Sequence, residues 1–309
     1  MNKLKFFAAL CCAAMVFAAC DKSDEPKNGS NNDDSKDGGK EQSSYTLTVR
    51  SNDETLGTVT GSGKYDISAT VKIVATPAEG AEFISWSDDT VSVELEREII
   101  LTSDSTITAT FSRVAVDLGL PSGLKWAPCN VGATKPEEYG NYYAWGETAT
   151  KSDYSWDTYK YGSSSDALTK YCNDSSRGKD GFTDDLTTLE AADDAAAVNW
   201  GDAWRMPTDA EWQELIDNCD WIWTDDYNDT GVAGCIVASK TNGNAIFLPA
   251  AGSRDGGRPF SAGYSGVYWS SSLDLNSPDY ARNASFYSDG VGRGSGAHRY
   301  GESVRAVHK

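Results

Sequence analysis

One stretch, Trp204-Arg205-Met206-Pro207-Thr208-Asp209-Ala210-Glu211-Trp212, constrains the fold more than any other, because it sets a helix start and its buried face together. Thr208 is placed to act as N-cap, and Glu211, three residues on, can return its carboxylate to the cap's own N–H and complete a capping box. Trp212, Leu215 and Ile216 then recur at i, i+3 and i+4, so one stripe turns inward while Asp209, Gln213 and Asp217 turn to water. The pattern predicts a short amphipathic helix seated on an aromatic core.

At the start of the chain, Lys3 and Lys5 precede an apolar run from Phe6 to Ala19. That run is shorter than the ~20 residues of a membrane span and suits the apolar segment of a signal peptide. It ends Phe17-Ala18-Ala19-Cys20, which resembles the lipobox of bacterial lipoproteins with Phe17 where Leu is usual. The resemblance implies a signal peptide over residues 1–19 and lipidation of Cys20, palmitate included. Residues 20–43 carry almost nothing able to join a core, which predicts a disordered acidic and polar tether. At ~24 residues its root-mean-square reach would be about 25–30 Å. Asp21, Asp24 and Glu25 resemble the acidic signal that sends some lipoproteins to the cell surface, so the expected location is the outer membrane, facing outward. A net charge of −19 repels phosphate backbones and anionic headgroups. Nucleic acid is thereby excluded as a partner, and the lipid anchor is what would hold the chain to the membrane.

Residues 44–113 read as β throughout. Tyr45 to Arg50, Gly57 to Thr60, Ala69 to Ala75 and Ser105 to Phe111 all alternate, with Gly61-Ser62-Gly63 and Pro77-Ala78-Glu79-Gly80 as turns. Phe83, Ile84 and Trp86 are the expected plug of this small all-β module. The order of its Gly-Thr-Val, Val-x-Ile-x-Ala, Phe-x-x-Trp and Ile-Thr-Ala-x-Phe elements resembles internalin B-repeat-like modules of bacterial surface proteins. Its carboxylates Asp88, Asp89, Glu94 and Glu96 sit in loop or exposed-strand patterns, so a spacer or an accessory binding module is expected.

Residues 114–309 make a second domain. The central stretch, Gly252 after Leu248-Pro249-Ala250-Ala251, and the closing Gly301-Glu302-Ser303-Val304-Arg305-Ala306-Val307 resemble the FISUMP family of major paralogous domains. The Arg-Met-Pro-Thr-x-x-Glu-Trp pattern and terminal Val-Arg-x-Val are also similar to the core of formylglycine-generating enzymes, whose fold is a variant of the C-type lectin fold. The fold class this implies is an α+β C-type lectin-like (formylglycine-generating-enzyme-like) C-terminal domain, preceded by a small all-β module. Strands are expected over Val116 to Trp126 about a Pro-Ser-Gly turn, and Cys235 to Lys240 and Ala245 to Leu248 are expected to flank a type I′ turn at Asn242-Gly243. Further strands fall at Gly266 to Ser270, Arg282 to Phe286 and Ser303 to Val307, with a long irregular loop over Glu147 to Gly181. Thr187-Thr188-Leu189-Glu190 repeats the capping-box pattern ahead of a second helix.

The chemistry argues for a binder rather than an enzyme. The oxidase activity of formylglycine-generating enzymes rests on a C-terminal cysteine pair, and Ser253 to Lys309 contains no cysteine. The two histidines, His298 and His308, lie in a Gly-rich tail and beside the last residue, poor places for a catalytic triad. Cys129, Cys172, Cys219 and Cys235 form an even set, which in an exported chain suggests disulfides in one of three connectivities, against buried thiols as the alternative. Calcium is the one metal considered, with Asp193 and Asp194 as oxygen ligands. The sugar-contacting triplets of calcium-dependent lectins are absent.

Ten Trp and fifteen Tyr exceed the needs of a core this size. Tyr142, Tyr143, Trp145, Arg254, Arg258, Tyr264 and Tyr268, near Gly-rich turns, are the candidate ligand contacts, while Trp126, Trp212 and Trp269 are expected in the core. The expected function is a surface-anchored, monomeric, non-catalytic adhesion module binding a glycan or protein ligand. An enzyme or maturation factor on the same scaffold, or a structural envelope component, are the competing classes.

Overall fold

The computed structural model describes residues 43–308; the expected signal peptide, Cys20 and nearly all of the expected tether lie outside the described residues. From Ser43 onward the chain forms one compact unit, mostly β-sheet with few helices. No helix among the described residues is long and apolar enough to cross a membrane.

The first module is all β: β1 (Ser44–Ser51), β2 (Gly57–Thr60), β3 (Gly63–Asp66), β4 (Thr70–Pro77), β5 (Ala81–Trp86), β6 (Glu96–Ile100) and β7 (Ser105–Arg113). They form two sheets, ordered β3-β1-β7-β5 and β2-β4-β6, with β1 and β7 parallel and the other pairs antiparallel. Alternation turns Leu47, Val49, Val71, Ile73, Ile107 and Phe111 inward around a fully buried Trp86. Ile84 does not join this plug. A bulge between Phe83 and Ser85 sets Phe83 and Trp86 on one face, their rings 5.3 Å apart, and leaves Ile84 exposed on the other.

Two residues, Val114 and Ala115, lead into β8 (Val116–Asp117), β9 (Lys125–Trp126) and β10 (Tyr142–Tyr143). The irregular loop that follows carries short 3-10 turns at Trp156–Thr158 and Lys179–Gly181. Next come α1 (Ala195–Trp200), β11 (Trp204–Arg205), α2 (Asp209–Asn218), β12 (Cys219–Thr224), β13 (Gly234–Ser239) and β14 (Ala245–Pro249). The chain closes with β15 (Ser253–Asp255), β16 (Arg258–Phe260), β17 (Gly266–Leu273), β18 (Tyr280–Tyr287), β19 (Gly290–Ala297), β20 (Glu302–Ser303) and β21 (Val307–His308). The main sheet runs β10-β20-β17-β18-β19, a second β11-β21-β9-β8 brings chain start and chain end together, and a third runs β12-β13-β14.

The capping box on α2 is present. The Glu211 N–H donates to Thr208 Oγ1 at 3.3 Å, and the Thr208 N–H donates to Glu211 Oε2 at 2.7 Å. Arg205 clamps the same carboxylate from the preceding strand, Nη1 to Oε2 at 2.7 Å. Trp212 packs on Trp126 with centroids 4.7 Å apart and donates its indole N–H to the Trp269 carbonyl. Beneath it lie Leu215, Val237, Leu248, Tyr268 and Phe286.

Four expectations need correction. The first helix starts later than Thr187-Thr188 implied: Asp194 caps it, accepting from the N–H groups of Ala196 and Ala197 at 2.8 and 3.1 Å, while Thr188 bridges to Ser272. The β13–β14 connection spans Lys240 to Asn244 with Gly243 alone at positive φ, so it is a longer loop and not a type I′ turn, which needs positive φ at both central residues. Residues 290–297, read as a Gly-rich tail, form β19 in full register with β18. Finally, Cys129, Cys172, Cys219 and Cys235 are all buried free thiols; β12–β13 register sets Cys219 opposite Ser239 and Cys235 opposite Trp223, which keeps that pair apart.

Candidate functional site: a cleft on the main sheet

Strand register decides which side chains face the site. Val267 pairs with Ser285 and Trp269 with Asn283, while Ser285 and Asn283 pair with Gly292 and Gly294 on β19. Directly paired residues share a face, so Val267, Asn283, Ser285 and Tyr287 look out one way, and Tyr268, Ala284 and Phe286 look the other way into the core beneath α2. On the outward face β19 presents glycine, and the bare backbone leaves room. A Cβ at Gly296 would meet Glu302 Oε1 at 2.4 Å, and one at Gly294 would meet Asn283 Oδ1 at 3.0 Å.

That room is a cleft of about 370 Å³. Asn283 and Glu302 are in its floor, Ser253 and Ser285 supply hydroxyls, and Phe260, Tyr287 and Tyr300 stand at its walls. Phe260 is 68% exposed and Tyr287 51%. The β15–β16 hairpin that carries Phe260 is tied to the strand segment ahead of Glu302: the Arg254 N–H donates to the Gly301 carbonyl at 2.7 Å, and the Gly301 N–H donates back at 3.0 Å. From the other side the long loop grips the hairpin through reciprocal Tyr154–Gly256 backbone bonds, both 3.0 Å. Arg299 lies 4.4 Å over the Tyr300 ring and forms an ion pair with Asp255, so its charge is already answered.

Glu302 is 2% exposed, and both of its carboxyl oxygens accept from Asn283 Nδ2, at 3.1 and 3.0 Å. Burial pushes its carboxyl up to about 8 even though the Asn283 amide favours the charged form, so at neutral pH it is a proton-bearing acid. Such a group both donates and accepts, and neutral hydroxyl groups need that pairing.

The candidate contacts divide. Tyr264, 79% exposed, Arg258 at the tip of the β15–β16 turn, and Arg254 are outward or partly so, and all three belong to the segment that walls the cleft. Tyr142 is half-buried beneath Arg254, whose guanidinium sits 4.8 Å over its ring, and its hydroxyl donates to the Ala251 carbonyl. Tyr143, Trp145 and Tyr268 are core residues, which corrects their reading as contacts. Trp145 is 0% exposed, stacks on His298 at 4.4 Å and donates to the Ser270 carbonyl. Tyr268 donates to the Pro249 carbonyl at 2.7 Å, and Tyr143 is buried where Trp269 donates to its carbonyl. Their neighbouring glycines suggested exposed loops; Gly266 instead opens β17, and Trp145 is buried within the turn that Gly146 makes. Asn283, Glu302, Phe260, Tyr287 and Tyr300 escaped the sequence reading. The signal that could have found them is the run of alternate glycines from Gly290 to Gly296, facing the equally alternating Asn283, Ser285 and Tyr287.

The calcium reading of Asp193 and Asp194 fails on hydrogen bonding. Lys160, Lys170, Tyr161 and Tyr171 all donate to Asp193. Although burial opposes the charge, these partners hold the carboxyl down at about 2. Asp194 caps α1 with one oxygen and with the other accepts from the Met206 N–H at 2.8 Å. Neither has lone pairs directed at an ion, and no group of three or more His, Cys, Asp or Glu able to hold a metal occurs among the described residues. The thiols are inert by burial, which raises Cys219 to about 11 and Cys235 to about 12. His298 is fully buried, its ring nitrogens are without hydrogen-bond partners among the described residues, and burial drives it down to about 3. It is no general base at neutral pH.

A family model described as a divergent InlB B-repeat domain matches residues 45–115, the span of β1 to β7. The first module is therefore similar to that family, and the cleft lies outside the matched residues. No curated protein and no solved structure matches the chain.

Proposed function

We propose that this chain is a surface-tethered, non-catalytic recognition protein, with a C-type lectin-like, FISUMP-type C-terminal domain that binds a glycan or protein ligand in the cleft over Asn283 and Glu302. The cleft itself carries the reading: a sheet face stripped of side chains on one strand, floored by buried polar groups and walled by exposed aromatic rings. Support for the scaffold comes from α2 packed on the main sheet and from the adjacency of β9 and β21, the early and last strands. The B-repeat-like module and the lipobox at Cys20 fit an outer-membrane lipoprotein holding this domain away from the surface. Incorporation of labelled palmitate, abolished in Cys20→Ser, tests the anchor.

For the cleft, full-length protein is applied to a glycan array, a mucin-coated surface and a panel of extracellular-matrix proteins. Selective binding that is lost in Phe260→Ala/Tyr287→Ala is expected, and binding indifferent to that pair moves the site elsewhere. One observation favours a second reading. A carboxyl held protonated in a cleft is also what a general acid looks like. Asp255, the other acid of the cleft, is tied to Arg299, which leaves no free base beside it. Hydrolysis of a bound glycan that stops in Glu302→Gln would establish an enzyme.

A further inference from the structure

We infer that the cleft takes a single ring of an uncharged glycan, its apolar face against Phe260 and Tyr300 and its hydroxyls on Asn283 and Glu302; this rests on the cleft being the ligand site.

Size is the first argument. About 370 Å³ falls at the small end of ligand pockets, which run roughly 300–1,000 Å³, and suits one ring with its substituents better than an extended peptide.

Hydrogen-bonding chemistry is the second. Asn283 directs its amide nitrogen to Glu302, and its Oδ1 makes no hydrogen bond to the described residues, which leaves an acceptor in the floor. Beside it Glu302 bears a proton at neutral pH and can donate. Sugar hydroxyls both donate and accept, so an acceptor and a donor side by side match neighbouring hydroxyls on one ring. The C–H face of such a ring is apolar and packs on aromatic side chains.

Charge is the third, and it separates neutral from ionic ligands. No Lys or Arg lines the cleft, and Arg299 behind Tyr300 is paired with Asp255. A carboxylated sugar would therefore be desolvated against an acidic protein with no cation in the cleft lining to receive it. A cationic ligand would find no fixed counter-charge, because Asp255 is answered by Arg299 and Glu302 is neutral. The titratable groups around Glu302 are its β10 partner Tyr143, Asp255 with Arg299, Tyr300 and Tyr287; the facing stretch of β19, Gly294 to Gly296, contributes none.

The experiment is saturation-transfer NMR on the full chain. Lactose, cellobiose and N-acetyllactosamine serve as neutral probes, sialyllactose and glucuronic acid as anions, and spermidine as a cation. At least one neutral probe is expected to bind, about tenfold more weakly in Phe260→Ala. Glu302→Gln, whose amide also donates and accepts, should keep that binding and remove its decline above pH 8. Preference for an anion overturns the neutral class. So does spermidine binding that Glu302→Gln abolishes, which would assign a cationic ligand instead. If no probe binds while a partner found on the array still depends on Phe260, only the neutral-glycan class falls. If a neutral probe binds undiminished by Phe260→Ala and Asn283→Ala, the cleft itself is the wrong site.

Discussion

Two buried titratable residues pull the stability of this chain in opposite directions. His298 is held neutral in the fold, at about 3 against an ordinary 6.5, so the unfolded chain binds the extra proton first and stability falls as pH drops below 6.5. Glu302 is held protonated, at about 8 against 4.5, so the unfolded chain releases its proton first and stability falls as pH rises from 4.5 towards 8. Between 4.5 and 6.5 the two slopes offset. Together they give a stability plateau in mildly acid solution with a flank on each side, each sloping by at most about 1.4 kcal/mol per pH unit. Denaturant titrations from pH 3.5 to 8.5 should show His298→Phe flattening the acid flank and Glu302→Gln the alkaline one. An unchanged alkaline flank in Glu302→Gln would mean that the carboxyl is charged in the fold. The most recognisable residues of the chain spend their polar groups on the fold. Arg205 clamps Glu211, the Met206 N–H reaches Asp194, the Pro207 carbonyl receives the Ser271 N–H, and Thr208 caps α2. Arg305, fully buried, donates to Asn130 and to the carbonyls of Ala127 and Phe247 at 2.7–2.9 Å.

At the scale of the element, α2 was legible because its signals are local: cap, box and i, i+3 apolar stripe all lie within ten residues. Thr208→Ala should cost about 1 kcal/mol, read as a lower thermal midpoint with unchanged ligand binding. The start of α1 was misread because Thr187 and Glu190 have the right spacing for a box, while the cap that forms, Asp194, is fixed by the Met206 N–H, which lies beyond the helix just past β11. β19 was hidden for another reason. Alternate glycines carry no β-propensity, and the strand is specified by its partner, β18, with Asn283 and the neighbouring Glu302 leaving little room for a side chain at Gly294 and Gly296. Two substitutions on that strand separate space from backbone. Gly296→Ala, whose Cβ would meet Glu302 and Trp269, should destabilise the fold and narrow the cleft, whereas Gly292→Ala meets nothing within 4 Å and should be neutral or stabilising by up to about 1 kcal/mol. Equal effects at the two positions in thermal melts would remove the steric explanation.

Across the whole molecule, β7 ends at Arg113, where the strand alternation stops, but how the parts meet was not readable, since it depends on residues far apart in sequence. Arg113, the last residue of β7, lays its guanidinium 4.1 Å over Trp200 at the end of α1, and the Val114 N–H donates to the Gly80 carbonyl at 2.9 Å. With only Val114 and Ala115 between β7 and β8, the spacer expected from sequence is joined with little slack. A double-mutant cycle on Arg113→Ala and Trp200→Leu should return a coupling of about 1 kcal/mol, and a value near zero would place the docking elsewhere. The four thiols carry a wider consequence. The core closes on indoles packed at a tilt and a guanidinium held by carbonyl groups, with no sulfur–sulfur bond among the described residues. A reductant should therefore leave the melting temperature unchanged. Folding of such a domain is independent of any supply of oxidant, and it reaches the same structure with air or without.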